Sequence, residues 1–189
     1  MSEIVFLLEE RSAEVMLQGL LPRLLPADVP VRYIVFEGKQ DLERQLVQKM
    51  RGYQVPGARF VVLRDKDAGD CKAIKTQLVS KCHKAEKLDA LVRIACQELE
   101  SWYLADLAAV ERGLGIRGLV KLQKKNPYRD PDSLPNPSTK LQLIASSYQK
   151  VGGSRAIGPH LDIDNTRSHS FAVFIAGLRR LTGKQAARI

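Results

Sequence analysis

Apolar residues in the first hundred positions come in short unbroken bursts, separated by stretches where they recur at helical spacing. Ile4–Leu8 is one burst, suited to a strand covered on both faces. Ser12 then stands as an N-cap for a helical stretch to about Leu25, with Val15, Leu17, Leu20, Leu21 and Leu24 apolar and Pro22 kinking or dividing it. Val31–Phe36 predicts a second strand; after Gly38, a helix over about Lys39–Lys49 carries Leu42 and Leu46, with Met50 next in the series. Arg59–Leu63 predicts a third strand, Asp70 caps a helix to about Lys84, Ala90–Ala95 predicts a fourth strand, and a further helix opens near Glu98. Strand and helix alternating at this spacing imply right-handed crossovers and a parallel sheet. The expected class is α/β: a Rossmann-like, mainly parallel four-stranded sheet flanked by helices.

The pattern breaks after about residue 112. Lys121–Pro137 is rich in Pro, Asp and Asn and predicts an irregular connection. Helices are expected over Ser138–Tyr148 and Ser168–Leu181, the latter with Phe171, Phe174, Ile175 and Leu178 on one face. Lys150, Gly152, Gly153, Ser154 and Arg155 read as a flexible turn suited to holding phosphate, and Lys184–Ile189 as a fraying end. The organisation expected is a core over residues 1–111 and a helical, loop-rich extension over 112–189 packed on it, together a single domain.

Charge separates the same two segments. Of the 189 residues, 1–111 carry 16 Lys+Arg against 17 Asp+Glu, whereas 112–189 carry 14 against 4. A basic segment beside a neutral one points to a polyanionic partner, with nucleic acid, DNA or RNA, as the usual case. No stretch of about 18 apolar residues occurs, which excludes a transmembrane helix and a membrane partner. The first residues have no basic n-region, and Cys71, Cys82 and Cys96 lack paired spacing. A cytoplasmic protein with reduced thiols is expected, and zinc is not.

Candidate chemistry follows from where the acids fall. Ligands of an open parallel sheet bind beyond the carboxyl ends of its strands. There the sequence places Glu9 and Glu10, with Glu14 at i+4 from Glu10; then Asp65 and Asp67; then Glu98 and Glu100. On an extended segment Asp65 and Asp67 point the same way, with α-carbons roughly 6–7 Å apart. Oxygen donors so grouped suit Mg²⁺ or Mn²⁺, one ion or two. The competing reading is that acids at these positions satisfy helix N-termini, as Asp70 does.

Several stretches carry a resemblance. LLEERSAEVML, VFEGKQDLE, FVVLRDKDAGDCKAIK, VRIACQELESWYLAD, DPDSLPNPSTKL, YQKVGGSRAIGPHLD and RSHSFAVF, spanning nearly the whole chain, resemble the bacterial family known as domain of unknown function 4276. That family is regarded as Toprim-like, similar to the Toprim domain of overcoming-lysogenization-defect (OLD) nucleases. The resemblance implies Glu10, with Glu9 as its rival, as metal ligand or general base, Glu14 as a further ligand, and Asp65 and Asp67 as ligands. It implies Glu100 or Glu98 as a further acid and Lys150 as the lysine that assists the phosphate. Arg155, Arg167 and His169 are candidate phosphate contacts, while Trp102 and Tyr103 read as core. The function expected is metal-dependent phosphoryl transfer on nucleic acid by a Toprim-type nuclease. The alternative is a non-catalytic Toprim-like module partnering a separately encoded ATPase.

Overall fold

The computed structural model describes residues 3–183, so the fraying expected at Lys184–Ile189 lies outside the described residues. Four parallel strands, β1 (Ile4–Leu8), β2 (Val31–Val35), β3 (Arg59–Asp65) and β4 (Leu91–Ala95), form a sheet in the order β2-β1-β3-β4. Leu8 pairs with Val35 on one side and Leu63 on the other, and Asp65 pairs with Ala95, which aligns the carboxyl ends at one rim. The helices of the alternating part are α1 (Arg11–Leu20), α2 (Lys39–Gly52) and α3 (Cys71–Lys84). The α/β class and the parallel four-stranded sheet flanked by helices expected from the sequence are what the chain adopts.

Because side chains alternate across a strand, each strand feeds two cores. Val5, Leu7, Phe60, Val62, Val92 and Ile94 pack with Leu42, Leu46 and Met50 of α2 and Ile74 and Leu78 of α3. Ile4, Phe6, Leu8, Val61 and Leu63 face the opposite way, into a larger core with α1 and the C-terminal helices. Those helices are α4 (Glu100–Leu104), α5 (Leu107–Leu114), α6 (Pro137–Ile144), α7 (Lys150–Ile157) and α8 (His169–Leu181). Trp102 and Tyr103 lie in this core as expected, Trp102 against the rings of Phe171 and Phe174 with its Nε1 donating to Ser170 Oγ at 2.9 Å. No helix among the described residues is long and apolar enough to cross a membrane.

The structure differs from the pattern reading in four places. The cap of α1 is Glu10, not Ser12, and the helix ends at Leu20, where Pro22 turns the chain into a 3-10 turn over Leu21–Arg23. The sixth helix runs from Pro137 and stops at Ile144 rather than Tyr148. Short 3-10 turns at Val120–Leu122 and Pro131–Ser133 punctuate the expected irregular connection. The segment read as a flexible glycine turn is helix α7. Its glycines serve close approach instead of flexibility. A Cβ on Gly153 would enter the Tyr148 ring, and just past the helix a Cβ on Gly158 would lie 2.5 Å from the Met16 carbonyl oxygen. α5 answers in kind, since a Cβ on Gly113 would lie 2.6 Å from the Ala156 carbonyl oxygen. Seated this closely, α7 brings its first residue, Lys150, to the rim where the strands end.

Candidate metal and nucleic-acid site

The alternation that divides the core also sorts the acids. Glu10 continues the series Phe6, Leu8, and Asp65 continues Val61, Leu63, so both emerge on the side of α1, α4 and α7. Glu100, the first residue of α4, is fully buried there; its Oε1 accepts from the Tyr148 hydroxyl at 2.8 Å, while its Oε2 has no hydrogen-bond partner among the described residues. Lys150 Nζ reaches Glu10 at 2.7 Å. The Asp65 carboxyl accepts no side-chain hydrogen bond among the described residues.

Electrostatics follow from this crowding. Burial, then the neighbouring charges of Glu100, Glu9 and Glu10, hold the Asp65 carboxyl well above the usual carboxylate range, with Lys150 opposing. Burial also raises Glu100, against the Tyr148 hydrogen bond and Lys150. Burial works against the Lys150 ammonium, but the hydrogen bond it donates to Glu10 and the charges of Glu100, Glu10 and Asp65 outweigh it, and its pKa is raised. Three carboxyls thus share a single lysine. Glu9, Glu10, Ser12, Arg64, Asp65 and Leu99 line a recess of about 10 Å³, room for one occupant the size of a water. The larger hollows, of about 430 and 410 Å³, lie by the amino ends of β1 and β3 and along the β2 edge, away from these acids.

On the other side of the sheet the charges are matched. Glu9 accepts the Asp65 N–H at 3.1 Å and lies 3.8 Å from Arg64 Nε; burial raises it, and that N–H opposes the rise. Arg64, only 7% exposed, binds Glu43 of α2 at 2.5 Å. Asp67 does not share the direction of Asp65. The strand ends at Asp65 and Asp67 has φ 52°, so the extended geometry assumed for the pair is lost, and Asp67 binds Lys39 of α2 at 2.7 Å. Glu14 is also separate, because Glu10 is an extended cap and not a helical residue at i−4. Glu14 pairs with Arg11 at 3.1 Å and Gln18 at 3.2 Å. Glu98 accepts the Ser138 N–H at 2.9 Å at the start of α6. Arg155, Arg167 and His169 are exposed, Arg155 on α7 and the other two flanking Ser168, which caps α8 by accepting the Phe171 N–H.

The structure therefore brings together Glu10, Asp65, Glu100 and Lys150, with Glu9 at the edge of the group, and sets Glu14, Asp67 and Glu98 apart. Sequence reasoning missed Tyr148, which holds Glu100, and Tyr103, whose buried hydroxyl makes no well-formed hydrogen bond among the described residues and is raised well above its usual value by burial, against Ser154, and by Glu100 and Asp65. Tyr148 stands two residues before Lys150 in the stretch YQK, so its place beside the lysine was the available signal. Lys39 and Glu43 had no signal beyond helix-face spacing. Among the described residues, no group of three His, Cys, Asp or Glu side chains is arranged to hold a metal ion. The donor set nonetheless fits a divalent ion in kind. Its members are hard carboxylate oxygens, one of them orphaned in the interior, beside a recess of suitable size, with Lys150 supplying the positive charge.

Comparison with known proteins adds the family and the fold. The sequence model of the family described as "Domain of unknown function (DUF4276)" matches residues 8–179. The fold is similar to that of the C-terminal region of the Burkholderia pseudomallei OLD protein, with a TM-score of 0.53 and 13% sequence identity over 96% of this chain and 99% of that one. A search of curated proteins returned no match.

Proposed function

The chain belongs to the DUF4276 family, and from that premise we propose that it is a metal-dependent phosphoryl-transfer enzyme acting on nucleic acid, a nuclease of the Toprim type. The observation that carries the proposal is the convergence of Glu10, Asp65 and Glu100 from three distant segments on one rim, with Lys150 alone among the described residues to balance them. A stable fold gains little from such a cluster, since each buried carboxyl raises the cost of ionising the next.

In this reading Glu10, Asp65 and Glu100, with Glu9 beside them, hold Mg²⁺ or Mn²⁺. One such ion or two, held by these carboxylates, would supply an activated water and charge stabilisation for the oxygens exchanged in phosphodiester cleavage. Tyr148 fixes the Glu100 carboxylate through its hydroxyl. Lys150, 44% exposed at its side chain, is free to turn from Glu10 toward a phosphate oxygen of the substrate. Arg155, Arg167 and His169 add backbone contacts independent of sequence, so binding weakens steeply with salt. Residues 1–111 act as the Toprim-like core and 112–189 as the basic extension, in the cytoplasm.

A second reading has an observation of its own. Glu14, Glu9, Asp67 and Glu10 are each paired with a cation, and Glu98 is engaged as a cap, as in a non-catalytic module that partners a separately encoded ATPase. Calorimetric titration with Mn²⁺, beside cleavage assays on single- and double-stranded DNA and RNA, separates the two. The nuclease reading expects Mn²⁺ binding and cleavage that Asp65→Ala abolishes. Equal cleavage by wild type and Asp65→Ala would mark a contaminant and sink the site. No ion binding by the folded wild-type protein leaves the module.

A further inference from the structure

Two of the three cysteines meet beside the rim. Cys71 is the first residue of α3 and Cys96 directly follows β4, and their Sγ atoms lie 3.8 Å apart, in contact but unbonded. Both residues are partly exposed, whereas Cys82 is 1% exposed in the core between α3 and the sheet. The turn from Lys66 to Asp70 runs between the strand that ends at Asp65 and Cys71. It is tied to the end of β4 by Lys66 N–H to Ala95 O at 2.9 Å and Asp67 N–H to Gln97 O at 2.8 Å. Its outer part, Ala68 to Asp70, is exposed.

We propose that Cys71 and Cys96 are a redox pair that closes into a reversible disulfide when hydrogen peroxide is present, clamping the turn after β3 to the end of β4. Cys71 opens the reaction. It is partly exposed in the first turn of a 14-residue helix, whereas burial, and then the neighbouring Cys71, push the Cys96 thiol up to about 12 and leave it the slower of the two to open the reaction. The Cys71 thiolate attacks one peroxide oxygen, the O–O bond breaks, and the second oxygen leaves as water after taking a proton, giving a sulfenic acid at Cys71. Cys96 Sγ then attacks that sulfur. The S–O bond breaks, the hydroxyl leaves as water with the Cys96 proton, and the S–S bond forms. Two thiols and one peroxide yield one disulfide and two waters. Closing from 3.8 Å to about 2.05 Å requires side-chain rotation and a small shift of the exposed turn. Cytosolic disulfides of this kind are usually transient and redox-sensing.

The test treats the full chain with graded hydrogen peroxide, blocks remaining thiols with N-ethylmaleimide in denaturant, and maps the peptides. Expected are the joint loss of Cys71 and Cys96 alkylation, a cross-linked peptide containing both, an unchanged Cys82, and full reversal by dithiothreitol. Cys96→Ser stops at a Cys71 sulfenic acid that dimedone traps, and Cys71→Ser leaves Cys96 a thiol. Tryptic cleavage after Lys66 in the native protein slows several-fold on oxidation and recovers on reduction. Retention of both thiols at peroxide levels that oxidise exposed cysteines, a disulfide involving Cys82, or bridges only between molecules would overturn the pairing. None of these readouts needs nuclease activity or a bound ion, so the pair stands or falls apart from the site proposed above.

Discussion

Arg64 and Asp65 are neighbours in the chain and face opposite sides of the sheet. On the Arg64 side each acid near the strand ends meets a cation, Glu43 and Glu9 with Arg64 and Asp67 with Lys39. On the Asp65 side three carboxyls crowd around Lys150, one with an oxygen left unpaired in the interior. The first arrangement is one that folding accommodates, because each charge taken out of water has a partner, and that becomes costly only when the partner is removed. The second is a concentration of negative charge that folding tolerates and a cation would relieve. Set against helices of the larger core, Glu100 fully buried and Asp65 and Glu10 partly so, the unmatched acids are held in place by packing that their own charges oppose.

The largest effect expected from disturbing this contrast is on the matched side. Glu43→Ala leaves the Arg64 guanidinium buried with only Glu9 at 3.8 Å. Breaking a fully buried pair costs roughly 3–5 kcal/mol; with Glu43 29% exposed at its side chain, about 2 kcal/mol is expected in a urea titration. A loss within the error of that titration would mean that the Arg64 side is no better matched than the Asp65 side.

Lys150→Met comes next. It removes the only cation that the described residues place among Glu10, Asp65 and Glu100 while keeping most of the aliphatic stem, and, with the lysine 44% exposed and partly screened, a loss of about 1 kcal/mol at neutral pH is expected from the carboxyls left unopposed. The raised lysine contributes stability that is fully present below its ordinary value of 10.5 and is lost as pH rises through its folded value. The difference between wild type and Lys150→Met should therefore shrink in strongly alkaline solution. A difference that holds constant across that range would place the effect in packing rather than charge.

How much of this contrast the chain discloses before folding depends on the scale of the interaction. Ile4–Leu8 and Arg59–Leu63 announce themselves as buried strands because each is a local apolar run, and Asp70 and Ser168 announce their helices because a cap acts over three residues. That acids stand past three strand ends is also local, so the rim was legible. Which acids share it was not. Asp67 leaves the group through one left-handed residue angle, and Glu14 through an extended Glu10, neither of which residue spacing encodes. α7 was obscured for another reason. Its Gly152 and Gly153 signal a turn by local propensity, whereas Gly153 is required by the ring of Tyr148, a contact set by helix packing. Lys150 was identified by resemblance, and its carboxylate neighbours only by the packing of α7 on α1.

Asp65→Asn tests the same contrast with the opposite sign. The amide keeps the shape and removes the charge, so metal-free protein should gain about 1 kcal/mol near neutral pH even as ion binding is lost. Both Asp65 and Glu100 are raised in the folded chain from ordinary values of 3.8 and 4.5. Between those values and the higher folded ones, the folded state keeps protons that the unfolded chain has released. Stability contributed by these groups consequently falls as pH rises from about 4 through the folded pKa values. Urea midpoints in EDTA should show this fall in wild type and a shallower one in Asp65→Asn. A variant that is less stable than wild type at pH 7, with an unchanged slope, would mean that Asp65 is matched after all.

The smallest effect belongs to Lys39→Met. Its pair with Asp67 has the same chemistry and nearly the same length as that of Lys150 with Glu10, 2.7 Å in each case. The two pairs are almost equally exposed, 48% and 34% against 44% and 32%; what differs is the charge behind them, since Lys39 has Glu9 opposed by Arg64 whereas Lys150 has the unmatched Asp65 and Glu100. Solvent screens such a pair, and about 0.5 kcal/mol or less is expected, vanishing between low and high salt. The Lys150→Met loss should survive the same change of salt in larger part, since Glu100 behind the pair is fully buried. Two lysines with equal hydrogen bonds would then differ in salt sensitivity for one reason, the number of unmatched carboxyls behind the bond. Equal losses with equal salt dependence would reduce the Asp65 side to an ordinary surface pair.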